Sequence, residues 1–276
     1  MSRSSLCLFI AVTSCAGADL PRVDLHVHIH DEENSARTMS PADATALSGR
    51  LRVRFGILAE GGCRGDIHDD ATLSAFLDSV QGQPVWRGLQ VYGFDWRHCL
   101  SAANLDRLDY VAADALVFPD ANGKNTLLWL PGVQFADAQQ FMDRYVAHNL
   151  RVISQKIQIW ANPTYLPESM QARYDELWTP ARMDRLISAA VKNGVAIEIN
   201  ARYRIPSAAF IRRAKAAGAR FSFGSNRHID GIGEIDYCLR TAAECGLSAA
   251  DIFVPSRRLE SVKSASATRT PSGPVQ

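Results

Sequence analysis

The sequence contains no uninterrupted apolar run of about 18 residues, the minimum for a helix that crosses a bilayer, so no transmembrane helix is expected in the mature protein. Charge of one sign is also missing: 30 lysines and arginines face 29 acids, leaving a net charge of +1. That balance excludes a broadly basic surface, and no nucleic-acid partner is expected. The six cysteines include no CxxC pair, which argues against a thiolate zinc site or a dithiol redox motif. Cys238 and Cys245 fall two turns apart on a predicted helix, too far for a disulfide. No internal repeat is present. What remains is ordinary globular composition, 47% hydrophobic and 21% charged, over 276 residues, a length that one α/β barrel domain can fill.

Residues 1–18 read as an export signal, with Arg3, the apolar run Leu6–Val12 and a small-residue stretch before Asp19. Ala16-Gly17-Ala18 fits an ordinary signal peptidase, whereas Val12-Thr13-Ser14-Cys15 fits a lipoprotein signal in which Cys15 is lipidated. Both place the chain in the periplasm or on a membrane anchor; a false signal would leave it cytoplasmic. The tail, 259–276, has no periodicity and is expected to be disordered.

Between these ends, apolar strands and amphipathic helices alternate. Val23–His30, Val53–Leu58, Gly88–Tyr92, Tyr110–Ala113, Val152–Ile159, Val195–Ile199 and Arg220–Phe223 read as strands. Thr179 as N-cap, Pro180 at the first position and Gly194 as left-handed cap bound one helix; others run over Ser207–Gly218 and Gly233–Cys245. Strand and helix in turn predict a parallel α/β sheet, and seven strands predict closure into a TIM-like barrel. Such barrels place their sites at the C-terminal ends of the strands.

The most informative segment is Asp24-Leu25-His26-Val27-His28-Ile29-His30. In a strand of period two, Asp24, His26, His28 and His30 share a face, and two adjacent imidazoles can grip one cation. His30 falls where the strand ends. Gly224-Ser225-Asn226-Arg227-His228 supplies a further histidine after the last predicted strand. Glu198 and Asn200 end the strand before it, and Arg202 and Arg204 follow on the exit loop, where guanidinium groups can clamp an anion. Asp95 and Asp120 are further acids near strand ends, each either a ligand or a loop cap.

DLHVHIH, IEINARYRIP and GSNRH together resemble the polymerase-and-histidinol-phosphatase (PHP) family of metal-dependent phosphoesterases, over Pro21 to Pro255. The resemblance implies a distorted (β/α)7 barrel as a single domain over 21–258. It also implies a centre of divalent zinc, manganese or iron, and hydrolysis of a small-molecule phosphoester by metal-activated water. By the same resemblance His26, His28 and His228 are metal ligands. The chain departs from the family elsewhere. Glu60-Gly61 stands for Asp-His, Gln90 for a bridging glutamate, Asn162-Pro163 for His-Pro and Asn226 for an aspartate, while Asp114 stands near the position of a lost histidine. With so many anionic and imidazole ligands gone, one or two ions are expected rather than three.

The expected assignment therefore has His26, His28, Glu60, Asp114 and His228 on the metal. Glu60 or Glu198 acts as ligand or general base, and Arg202 and Arg204 neutralise developing charge. Arg227, Asn162, Asn226 and Gln90 contact substrate. Two other readings stand beside it: an amidohydrolase-type C–N or C–O hydrolase, which also opens on a histidine pair, and a degenerate barrel that binds a ligand without catalysis.

Overall fold

The computed structural model describes residues 20–30, 37–63, 65–119 and 123–257. The expected signal (1–18), the tail (259–276) and Asp120 lie outside the described residues. Ten strands are described: β1 Val23–His28, β2 Arg54–Gly61, β3 Trp86–Val91, β4 Tyr110–Ala113, β5 Val117–Pro119, β6 Asn125–Leu127, β7 Ile159–Trp160, β8 Ala196–Asn200, β9 Phe221–Gly224 and β10 Arg227–His228. The α-helices between them are α1 Pro41–Leu51, α2 Asp70–Ser79, α3 Ala102–Leu105, α4 Ala138–Ile153, α5 Glu168–Gln171, α6 Tyr174–Leu177, α7 Pro180–Asn193, α8 Ala208–Ala216 and α9 Asp236–Glu244. No described helix is long and apolar enough to cross a membrane.

Eight strands form one parallel sheet in the order β10-β1-β2-β3-β4-β7-β8-β9, and β5 and β6 form a separate antiparallel hairpin. The protein is thus an α/β fold whose sheet curls on itself. Ser225 and Asn226 are all that separates β9, at one edge, from β10, at the other, and the Asn226 N–H donates to the His26 carbonyl at 3.0 Å. Every residue of β1 is buried, as parallel strands covered on both faces require.

Local chemistry explains the helices that frame the site. In α7 the Thr179 hydroxyl accepts from the Arg182 N–H, Pro180 opens the helix and Gly194 ends it at φ 67°. Met183, Leu186, Ile187 and Ala190 form its buried stripe. Ser207 caps α8 in the same way. The predicted strand Val152–Ile159 is a misreading: its first two residues close α4, and pairing is confined to β7. Val152 and Ile153 belong to a helical stripe with Phe141, Met142, Tyr145, Val146 and Asn149, a 3.6-residue period that an eight-residue window hides.

Inside the curl, the Tyr110 hydroxyl donates to the Leu25 carbonyl at 2.9 Å, spanning from β4 to β1. Gly56 and Gly88 make room for it, since a Cβ at either position would run into the Tyr110 ring. This plug lies below the polar residues at the strand ends.

Candidate functional site

Period-two alternation fails in β1. Asp24 lies opposite Phe55 and Val27 opposite Ile57, so three steps on β1 match two on β2, a β-bulge between Asp24 and Val27. The extra residue puts His26 and His28 on the inner face and sends Asp24 outward. There Asp24 accepts N–H groups from His26 (3.1 Å), Ser225 (2.9 Å) and Gly233 (3.0 Å). Asp24 therefore pins β1 to the β9–β10 link, and the expectation that it shares a face with the histidines is corrected.

His26 Nδ1 lies 2.6 Å from Glu198 Oε1, with both residues buried. Gly224 permits this contact, because a Cβ there would collide with the Glu198 carboxylate and the His26 Cβ. Glu198 Oε2 accepts from the Asn162 N–H (2.7 Å) and Asn200 Nδ2 (3.0 Å). Burial disfavours both charges, but their mutual attraction prevails: Glu198 is held below the ordinary carboxyl range and His26 above the ordinary imidazole range.

Around this pair runs a chain of amides. Asn162 Oδ1 accepts from Asn200 Nδ2 and Asn226 Nδ2, each at 2.9 Å, while Asn162 Nδ2 donates to Asp114 Oδ2 at 2.8 Å. Asp114 also accepts from Gln90 Nε2 (2.9 Å) and the Leu116 N–H (3.0 Å). Asn162 and Asn226 adopt left-handed backbone at φ 47° and 49°, a conformation asparagine tolerates better than most residues. Both oxygens of Glu198 and of Asp114 are thus committed to protein donors. Of the three carboxylates expected to converge on His26, His28 and His228, Glu198 reaches His26, while Glu60 lies beside His28, its Oε1 3.7 Å from His28 Nδ1.

The imidazoles gather above this network. Among the described residues, His28, His30 and His228 form a group whose candidate ligand atoms all lie within 4.8 Å of one another. His28 stacks on His228 (centroids 4.4 Å apart, planes 10° apart), and His30 meets both edge-on. Register fixes the stack, since His28 and His228 are partners in the β1–β10 pairing. His28 Nδ1, His26 Nε2 and Gln90 Oε1 are buried without a hydrogen-bond partner. Burial, reinforced by the rings of His26, His228 and His30, holds His28 well below the ordinary imidazole range, so it is neutral at pH 7.

A cavity of about 40 Å³ opens here, lined among others by His28, Glu60, Gln90, Asn162, Asn226 and His228. Arg202 and Tyr203 form a wall shared with a larger cleft of about 430 Å³, which Arg204 also lines. Arg227 does not line the small cavity. It precedes His228 in β10 and so turns the other way, toward Gly231 and Glu234.

Sequence reasoning left His30 out of the ligand set because the strand ends there; an isolated bridge to Thr38 keeps it in place. It also missed Asn200 as the hub between Glu198 and Asn162, although their shared face was legible. Tyr92, Trp129 and Tyr203 carry no motif that marks them as cavity walls.

No protein-family profile matches the chain, and no curated protein matches it. Among solved structures, it is similar to the catalytic domain of a mannanase from Streptomyces sp. SirexAA-E, at 13% identity over 89% of this chain and 83% of that one, with a TM-score of 0.40. A β-mannanase from Streptomyces thermolilacinus gives 13% identity over 86% and 81%, with a TM-score of 0.39. RipC from Yersinia pestis gives 14% over 81% and 97%, with a TM-score of 0.36. At these TM-scores the likeness carries no argument about activity.

Proposed function

We propose that this chain is a metal-dependent hydrolase acting on a small phosphoester, with one divalent zinc, manganese or iron ion held by His28, His30 and His228. We read β9 and β10 as two halves of one stave, which makes the sheet a distorted seven-staved barrel in a single domain, as the resemblance to the phosphoesterase family implies.

The observation that carries this reading is the three-imidazole group at the strand ends, with His28 neutral and its Nδ1 making no hydrogen bond within 3.5 Å. Buried nitrogen without a donor or acceptor is rare and costly in a folded protein, and a cation satisfies it. The donor set fits: neutral imidazoles suit zinc, iron and manganese. Tetrahedral zinc needs ligand nitrogens about 3.3 Å apart. Half-buried His30 and His228 have room to close from the 4.8 Å spread, with one ring leaving the stack.

Such an ion supplies Lewis acidity and acidifies water. The chain's own residues do the rest. Glu60, 28% exposed and beside His28, accepts the proton of the attacking water. Arg202 at the cavity wall orients and neutralises the phosphoryl oxygens. Glu198 fixes the His26 ring, and the Asn162–Asp114–Gln90 chain holds the floor rigid.

The reading is tested by loading the full chain with zinc or manganese and assaying phosphomonoesters and diesters. Hydrolysis by the wild type, its loss in His28→Ala and His228→Ala, and a kcat lower by about 10²–10⁴ in Glu60→Gln with metal retained are the expected results. Background hydrolysis that these substitutions leave unchanged overturns it. One observation favours a second reading, a binding barrel without catalysis: amides occupy Gln90, Asn162 and Asn226, and Asp114 and Glu198 are committed to them. Stoichiometric metal without hydrolysis of any ester would select it.

We also propose an exported location, as the N-terminal signal implies. A disulfide joining Cys63 to Cys99, a bond characteristic of oxidising compartments, supports it.

A further inference from the structure

The small cavity at the imidazoles, about 40 Å³, has room for a compact group, whereas the cleft across the Arg202–Tyr203 wall, about 430 Å³, is of the size that holds a small organic ligand. Its walls are aromatic. Tyr165 and Tyr203 meet edge-to-face with centroids 4.7 Å apart, and Arg202 lies over the Tyr203 ring at 5.4 Å. Tyr174 lines the far side, its hydroxyl anchored by Thr164 Oγ1 (2.5 Å) and the Ser207 N–H (3.3 Å), so its ring is fixed rather than free to swing. Leu166 and Ile205 complete the apolar lining, and Arg204 lies at the cleft with φ 55°. The cleft thus offers ring faces and edges to a planar group, and guanidinium to an anion at the end nearest the imidazoles.

We infer that the cleft is the subsite for a planar ring on the alcohol side of the ester, so that the substrate is a ring-bearing phosphomonoester whose phosphoryl group sits at the imidazoles and whose ring packs against the contacting Tyr165–Tyr203 pair. This inference rests on the phosphoesterase reading for the phosphoryl end and on the cleft alone for the ring end. Arg202, common to both cavities, bridges them by facing the anion while its guanidinium covers Tyr203.

Equilibrium binding to the full chain by titration calorimetry, with phenyl phosphate and methyl phosphate as probes, tests it. Phenyl phosphate is expected to bind about tenfold tighter, the size of effect that aromatic packing supplies. Tyr165→Ala should remove most of that preference while leaving methyl phosphate affinity within about twofold, and Tyr165→Phe should retain it. Because the comparison of the two probes is made on the wild type, it stands even where Tyr165→Ala fails to fold. Equal affinity for both probes, no binding of either, or a preference that survives in folded Tyr165→Ala and Tyr203→Ala overturns the inference. Assaying the zinc- or manganese-loaded wild type alongside the titration separates the two claims: a ring preference in a wild type that hydrolyses no phosphoester defeats the hydrolase reading and leaves the subsite, whereas hydrolysis without ring preference does the reverse.

Discussion

Two constellations share the strand ends and differ in how their charged and ring groups are committed. In the lower one, Glu198, Asp114 and Asn162 exchange hydrogen bonds with His26, Asn200, Asn226, Gln90 and two backbone N–H groups, and both carboxylates have donors on each oxygen. In the upper one, His28, His30 and His228 face one another as rings, His228 Nδ1 lies 3.1 Å from the His30 carbonyl, and His28 Nδ1 makes no hydrogen bond, with Glu60 Oε1 3.7 Å away. A buried network whose carboxylates are fully committed holds strands in place and resists change, whereas a buried imidazole nitrogen without a hydrogen bond can receive a ligand. On the proposed reading, the residues that hold the site together are distinct from those that meet a ligand.

Substitutions should divide along that line. The largest effect is expected at Glu198: Glu198→Ala leaves the His26 imidazole, the Asn162 N–H and Asn200 without their acceptor inside the fold. A loss of about 3–5 kcal/mol in urea unfolding is predicted, as for removal of one partner of a buried ion pair. Asn162→Ala strips donors and acceptors from Asp114, Asn200 and Asn226, for a predicted cost of about 1–3 kcal/mol. Values near zero at either position would dissolve the contrast.

The His26–Glu198 pair also fixes a pH signature for the metal-free protein. His26 is raised above its ordinary 6.5, so its contribution is complete below pH 6.5 and fades as pH climbs through the folded value. Glu198 is lowered below its ordinary 4.5, so its contribution is complete above pH 4.5 and fades as pH falls. The stability difference between wild type and His26→Gln should accordingly be greatest between those limits and shrink on both sides. A difference that is flat from pH 3 to pH 9 contradicts the pairing. The smallest effect is predicted at His228, half-buried in the upper group. His228→Ala in metal-free protein removes one stacked ring and one hydrogen bond to the His30 carbonyl and should cost about 1 kcal/mol or less, while it is predicted to remove metal binding.

Much of this arrangement was legible before any coordinates. The caps at Thr179 and Gly194 bounded α7, because capping is local chemistry. DLHVHIH marked the strand that carries the imidazoles. The bulge that turns Asp24 outward was not legible, since it arises from register against β2 rather than from any residue in β1. Nor was the division of the carboxylates: Glu60, Asp114 and Glu198 look equivalent as strand-end acids, and which of them is spent on amides depends on Gln90 from β3, Asn162 just after β7 and Asn200 at the end of β8. The Cys63–Cys99 disulfide joins residues 36 apart in sequence, beyond any local spacing rule.

The most direct measurement is metal content by inductively coupled plasma mass spectrometry after the full chain is loaded with zinc and dialysed. The account predicts close to one equivalent in the wild type and in His148→Gln, where the replaced imidazole lies outside the group, and a small fraction of that in His28→Ala, His30→Ala and His228→Ala. Metal retained undiminished in all three alanine variants, or no metal in the wild type, would contradict it.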